Sequence, residues 1–156
     1  MTDFAVTTLT PAPFAFVRRT AAIPDMPKVM GEGFEALGGL FAKAGATMAG
    51  APLAHYLDYS DDATTFELGF PVSPQDVDAL RAAGADIGET PAGEAMQATH
   101  IGPYQTVAAT YAAMQEAMQR QGLTGSKDMW ERYLSPPETP AAEIRTEVIW
   151  PVARTA

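Results

Sequence analysis

The strongest candidate for chemistry in this sequence is Glu131, which lies in the segment Trp-Glu-Arg-Tyr-Leu at residues 130–134. If this segment is a strand, side-chain alternation puts Glu131 and Tyr133 on one face. A buried carboxylate is costly unless something compensates for its lost hydration. Such a residue pairs with a cationic ligand, or acts as an acid or base when burial raises the pKa of the carboxyl group. The ordinary alternatives are an ion pair with Arg132 or Arg145, or a solvated strand edge.

Aromatic residues elsewhere in the chain are candidates to line a pocket that binds an organic cation. Ring faces attract cations, and a small-molecule pocket is typically apolar with few polar groups. The same residues are also common in cores and on sheets for packing reasons alone. The candidate ligand-binding residues are Glu131, Tyr133, Trp130, Tyr56, Tyr104, Tyr111, Trp150 and Phe16. Glu131 is also the candidate catalytic residue if the protein is an enzyme.

The elements that must position these residues occur twice in the sequence. One set of apolar residues has the spacing of a single helical face, and adding 77 to each number gives a second set with that spacing. The two sets are Met30, Phe34, Leu37 and Phe41, then Val107, Tyr111, Met114 and Met118. Each ends near a glycine, Gly45 or Gly122, which suits a left-handed residue that terminates a helix.

Strand patterns repeat in the same order around the two helices. Short apolar and aromatic runs at residues 14–18, 53–57 and 65–72 correspond to runs at 95–99, 130–134 and 146–152. We therefore predict an α+β fold in which two strand–helix–strand–strand copies form an antiparallel sheet, with two long helices on one face and a ligand cleft between the halves.

The predicted organisation is a single domain over residues 1–156. Its first copy spans about 10–72, a linker with a short helix spans 73–92, and its second copy spans about 93–153. Comparing the copies isolates Glu131, because the first copy has Ala54 at the matching position. The fold is compatible with a methyl group at this position, so we expect the carboxylate of Glu131 to serve function rather than folding.

Composition excludes several classes of function. The net charge is −9 with ten basic residues, and the only adjacent basic pair is Arg18-Arg19. A nucleic-acid-binding protein needs a basic stripe, so we expect no direct nucleic-acid binding. No cysteine is present, and the two histidines, His55 and His100, lack partners at metal-ligand spacing. We therefore expect no metal site and no cofactor.

Targeting signals are absent from the sequence. The first residues lack the charged start and apolar run of a signal peptide. No apolar stretch approaches the roughly 20 residues that a membrane helix needs. We expect a cytoplasmic protein that does not associate with membranes.

Five motifs together resemble the GyrI-like, or bacterial transcription-regulator effector-binding, domain. They are His-Ile-Gly-Pro-Tyr at 100–104, Trp-Glu-Arg-Tyr-Leu at 130–134, Thr-Glu-Val-Ile-Trp-Pro-Val at 146–152, Gly-Ala-Pro-Leu-Ala-His-Tyr-Leu-Asp at 50–58 and Phe-Pro-Val at 70–72. The resemblance spans roughly residues 10–153 and implies a duplicated fold with a cleft between its halves. It also implies that a buried glutamate at position 131 receives cationic or amphipathic ligands. Multidrug-sensing members carry a DNA-binding helix-turn-helix, for which this chain has no room, so we expect a stand-alone form.

The resemblance leaves three functions open. The first, which we expect, is a binding protein for hydrophobic, cationic or amphipathic small molecules. The second is a hydrolase of cyclopropanoid or other electrophilic toxins, with Glu131 as acid or base. The third is a protein-interaction module, such as a gyrase-binding protein. Binding and hydrolysis require the same glutamate and aromatics, so the sequence does not decide whether the protein is an enzyme.

Overall fold

The structure, a computed structural model, describes residues 4–59, 62–136 and 138–154. Within these residues the chain forms nine strands and three α-helices. They are β1 (Ala5–Leu9), β2 (Pro13–Ala22), α1 (Met26–Ala44), β3 (Leu53–Tyr59), β4 (Ala63–Pro71), α2 (Val77–Ala83), β5 (Asp86–Glu89), β6 (Gly93–Ile101), α3 (Val107–Gln121), β7 (Leu123–Gly125), β8 (Met129–Tyr133) and β9 (Arg145–Arg154). None of the helices in this described part is long and apolar enough to cross a membrane.

The chain divides into two compact units that follow the repeat. Thr10–Pro91 form the first-copy unit, and the segment before Thr10 joins the chain from Ala92 onward as the second-copy unit. Each unit combines antiparallel strands with helices. The α+β fold and its duplicated order of elements are therefore confirmed.

The sheet of the first-copy unit has the strand order β3-β4-β2-β5, with α1 packed on one face. Leu37 and Phe41 are the buried apolar residues of α1, and the rings of Phe34 and Phe41 meet Phe70 of β4 edge-on. The apolar spacing that predicted this helix is thus the spacing of its core-facing side.

The second-copy unit repeats this arrangement with the strand order β1-β6-β9-β8, and β7 pairs with β9. Its α3 packs on the sheet over an apolar core. The buried members of that core are Met96, Ala98, Met114, Ala117, Met118, Leu123, Val148 and Trp150. The β1 strand precedes the first copy in sequence yet pairs with β6.

Both long helices end at the predicted glycines. Gly45 has φ 66° and Gly122 has φ 69°, the left-handed conformation that costs glycine little and other residues more. The short helix expected in the linker is α2, and a 3-10 turn at Pro74–Asp76 precedes it.

Strand register follows the repeat as closely as the helices do. Tyr56 lies opposite Phe66 in the first-copy unit, and Tyr133 lies opposite Thr146 in the second. The rings of Phe34 and Phe70 are 5.7 Å apart at 64°. Their counterparts, Tyr111 and Trp150, are 5.7 Å apart at 70°. Each residue of one copy can therefore be compared with its equivalent in the other.

Candidate functional site

Glu131 lies on β8 with its side chain in the layer between the sheet and α3. Only 7% of the residue is exposed. The Tyr111 hydroxyl donates a hydrogen bond to Oε2 at 2.7 Å, and the Tyr133 hydroxyl donates one to Oε1 at 2.9 Å. Hydrogen bonds to a carboxylate are stronger than neutral ones, so these two compensate for part of its lost hydration.

Two simple periodicities bring these three residues together. Alternation along β8 places Tyr133 on the same face as Glu131. Helical spacing puts Tyr111 on the side of α3 that also carries the buried Met114 and Met118. The carboxylate is therefore held between a strand and a helix by elements that the core already fixes.

Two further aromatic rings surround this group. Trp150 meets the Tyr111 ring edge-on, with centroids 5.7 Å apart. Tyr104 meets the Tyr133 ring in the same way at 5.8 Å, and 46% of Tyr104 is exposed. Burial, and then the negative charge of Glu131, raise the pKa of Tyr104. Tyr104 is thus the outer member of the group and lies within the field of the carboxylate.

Trp150 is held in place by a close approach to the backbone at Gly125. The indole Nε1 donates to the carbonyl oxygen of Ser126 at 2.9 Å. A Cβ atom added at Gly125 would lie 2.5 Å from Nε1, too near for any other residue without movement of the indole. The sequence indicates Gly125 as a turn residue and gives no sign of this second role.

Three of the predicted site residues lie elsewhere. Trp130 alternates to the opposite face of β8 from Glu131. Tyr56 packs against Phe66, with ring centroids 6.1 Å apart, and Phe16 stacks on Phe14 at 4.9 Å, both within the first-copy unit. The structure therefore groups Glu131 with Tyr104, Tyr111, Tyr133 and Trp150.

One of the ordinary alternatives for Glu131, a solvated strand edge, disagrees with the structure. Arg132, one of its two proposed ion-pair partners, forms an ion pair with Glu147. A residue with 7% exposure does not occupy a solvated edge.

The two histidines take part in local hydrogen bonding. Nε2 of His100 lies 3.1 Å from the carbonyl oxygen of Pro103 and 2.9 Å from Oγ1 of Thr106, and Nδ1 lies 2.8 Å from Oγ1 of Thr110. A neutral ring that donates from Nε2 and accepts at Nδ1 satisfies this arrangement. His55 donates from Nδ1 to Glu67 at 2.9 Å. Across residues 4–59, 62–136 and 138–154, no three His, Cys, Asp or Glu side chains are grouped to hold a metal ion.

A cavity of about 330 Å³ lies between the end of β6 and α3 in the second-copy unit. Its lining residues are Thr99, His100, Ile101, Thr106, Ala109, Thr110 and Ala113. The cavity therefore lies at β6, two strands away from the β8 strand that carries Glu131.

The sequence matches a known family of domains. Residues 2–153 match the GyrI-like small molecule binding domain. The chain belongs to this family. The resemblance predicted from its motifs is thereby confirmed, and the chain is a small-molecule-binding domain.

Solved structures show the same fold for this GyrI-like domain. The C-terminal domain of EcmrR has a TM-score of 0.80 and 17% identity, with 99% of both chains covered. A hydrolase from Listeria innocua has a TM-score of 0.71 and 20% identity, with 96% of this chain and 91% of the other covered. A protein bound to tetraphenylphosphonium has a TM-score of 0.70 and 13% identity, with coverages of 97% and 94%. No protein of curated function matches the sequence.

Proposed function

We propose that this GyrI-like domain binds hydrophobic organic cations and that Glu131 is their counter-ion. The observation that carries the proposal is the buried carboxylate itself, which accepts hydrogen bonds from Tyr111 and Tyr133 where the first copy has Ala54. A carboxylate has about four lone-pair positions, so it can pair with a cation while it accepts these two hydrogen bonds. In a layer of low dielectric constant, that pairing is stronger than in water.

Aromatic rings supply the rest of the recognition surface. Tyr104, Tyr111, Tyr133 and Trp150 present ring faces and edges around the carboxylate. An organic cation over such faces gains electrostatic attraction together with apolar burial. Tyr104 is 46% exposed, so the aromatic group reaches the surface of the second-copy unit. This combination suits an amphipathic ligand.

One structural relative suggests a cation with which to test the proposal. It was solved with tetraphenylphosphonium, a lipophilic cation without hydrogen-bonding groups. At 13% identity that likeness shows the fold alone. The charge preference of this chain therefore rests on its own Glu131.

The test removes the charge of Glu131 and keeps the shape of its side chain. Glu131→Gln should weaken tetraphenylphosphonium binding by at least about tenfold in calorimetric titration, because the counter-ion is lost. The matched control is Glu147→Gln, a carboxylate of the same unit that pairs with Arg132. It should bind as the wild type does. Equal affinity in wild type and Glu131→Gln would contradict the proposal.

Hydrolysis is the second candidate, favoured by the similarity to a hydrolase from Listeria innocua and by hydroxyl groups beside the carboxylate. Glu131 would accept a proton from water as the water oxygen attacks a strained carbon, and a tyrosine hydroxyl would protonate the carbon or heteroatom that leaves. Incubating wild type and Glu131→Gln with cyclopropanoids and epoxides tests this candidate. Turnover that the glutamine variant loses supports it, and no turnover in wild type rejects it for these substrates.

A further inference from the structure

Thr146 carries a buried hydroxyl group that the fold leaves unused. The residue is 0% exposed, and Oγ1 has no hydrogen-bond partner within the part of the chain that the structure describes. An unsatisfied buried hydroxyl costs free energy and is rare in native proteins. A ligand is one partner that can repay this cost.

Thr146 lies beside Glu131 on the same face of the sheet. Tyr133 of β8 and His100 of β6 are its direct neighbours across the strands, while Glu131 lies opposite Val148. Glu131 and Thr146 are thus diagonal neighbours, a relation in which side chains are roughly 7 Å apart. One small molecule can reach both groups.

The neighbours of Thr146 are already engaged with other groups. Both ring nitrogens of His100 have partners in Pro103, Thr106 and Thr110, and the Tyr133 hydroxyl donates to Glu131. The cavity of about 330 Å³ is lined by His100, the next residue across the sheet from Thr146. Within the part of the chain that the structure describes, these neighbours therefore leave the Thr146 hydroxyl unused.

The first copy shows that the scaffold does not require a hydroxyl at this position. The counterpart of Thr146 is Phe66, which is fully buried and packs against Tyr56. Replacing phenylalanine by threonine removes bulk and introduces a hydrogen-bonding group. This occurs in the same copy, and on the same face, as the replacement of Ala54 by Glu131.

We infer that the site selects organic ammonium ions that also carry a hydrogen-bonding group a few bonds from the nitrogen, such as amino alcohols. The inference rests on the proposed function, because the ammonium group pairs with Glu131. Thr146 then hydrogen-bonds the second polar group of the ligand. A quaternary or phosphonium cation satisfies the carboxylate but leaves Thr146 without a partner.

A matched pair of ligands tests this selectivity. N-benzylethanolamine and N-benzylpropylamine have the same charge and nearly the same shape, and they differ in one hydroxyl group. The wild type should bind the alcohol about tenfold more tightly, as expected for one satisfied hydrogen bond. Thr146→Val should abolish this preference and leave the affinity for N-benzylpropylamine unchanged. Glu131→Gln should weaken the binding of both amines.

Thermal unfolding without ligand gives a second readout. Valine has the shape of threonine, so Thr146→Val should raise Tm by removing an unsatisfied hydroxyl. Thr20→Val is the matched control, because the Thr20 hydroxyl is exposed and hydrogen-bonded to Thr65. It should not raise Tm.

The outcomes separate this inference from the proposed function. Three outcomes would contradict the role of Thr146 and leave Glu131 as the counter-ion. The wild type binds both amines equally, it binds only tetraphenylphosphonium, or Thr146→Val keeps the preference for the alcohol. If neither the amines nor tetraphenylphosphonium bind to the wild type, the proposed function fails and the inference fails with it. A lower Tm for Thr146→Val would show that the fold uses the hydroxyl, which also overturns the inference.

Discussion

Glu131 accepts hydrogen bonds from hydroxyl groups of two different elements, and packing does not require the hydroxyl of Tyr111. In the first copy, Phe34 occupies the place of Tyr111 and keeps the same edge-on ring contact. The ring of Tyr111 therefore serves the core, whereas its hydroxyl serves the carboxylate. This separation makes the hydroxyl removable without disturbing the ring.

Tyr111→Phe should consequently lower the free energy of unfolding by about 1.5–3 kcal/mol, the usual range for a hydrogen bond to a charged group. Urea denaturation at neutral pH measures this change. In a Glu131→Gln background the same replacement should cost less, because the hydroxyl no longer meets a charge. Equal losses in both backgrounds would mean that Tyr111 acts through something other than Glu131.

Sequence reasoning reached part of this residue-level arrangement. Glu131 stands out because it breaks the repeat, Tyr133 because strand alternation puts it on the same face, and Tyr111 as one of the aromatic residues. Alternation also excludes Trp130 from the carboxylate face, although aromatic character alone had made it a candidate. Gly125 could not be found, because its role depends on where the Trp150 indole packs.

At the level of secondary-structure elements, strong local sequence patterns were enough to predict the helices. Periodicity and the left-handed glycines predicted α1 and α3 almost to their ends. The short strands β1, β5 and β7 were not predicted. β1 is the clearest case, since Ala5–Leu9 pairs with Gly93–Gln97, about ninety residues later, and no local pattern encodes such a partner.

The glycines of α1 provide a test of helix–sheet packing. A Cβ atom at Gly33 would lie 2.5 Å from Cδ1 of the fully buried Leu68, whereas one at Gly39 would meet nothing within 4 Å. Gly39→Ala should therefore stabilise the protein by up to about 1 kcal/mol through helix propensity. Gly33→Ala should destabilise it, because the fully buried Leu68 must shift to admit the methyl group.

Thermal and urea unfolding of Gly33→Ala and Gly39→Ala measure how each substitution changes stability. Both changes add the same methyl group to the same helix, so intrinsic propensity alone would shift both in one direction. Opposite signs identify Gly33 as the point where α1 approaches β4. Equal stabilisation would contradict that packing.

At the scale of the whole molecule, both copies keep an ion pair between matching strands. Glu67 of β4 pairs with His55 and Arg18, and Glu147 of β9 pairs with Arg132, the counterpart of His55. A charge arrangement that occurs in both copies is part of their common fold. Glu131 occurs in the second copy alone, so the common fold does not require it.

The Glu67 network gives the protein a specific response to acid. Burial alone would raise the pKa of Glu67, but hydrogen bonds from His55 and Arg18 outweigh it, and the pKa lies below its ordinary value. The folded state thus favours the ionised form. Its contribution to stability is complete above the unfolded pKa of about 4.3 and is lost as pH falls through the lower folded pKa.

Glu67→Gln should therefore reduce stability at pH 7 and flatten the decline of stability below about pH 5. Urea denaturation of wild type and variant across pH 3–7 measures both effects. The two curves should approach each other towards the acid end, as Glu67 of the wild type takes up its proton. Parallel curves over the whole range would show that this carboxyl is not the group responsible.

The matching ring pairs of the two copies have an evolutionary consequence. Phe34–Phe70 and Tyr111–Trp150 keep one spacing, 5.7 Å, and Tyr111 of the second pair also donates a hydrogen bond to Glu131. In the function that we propose, recognition is added to a packing pattern that both copies share. Ligand preference in such a protein can drift by single inward-facing exchanges in the later repeat, with the backbone unchanged, so close homologues can diverge in what they bind well before they diverge in shape.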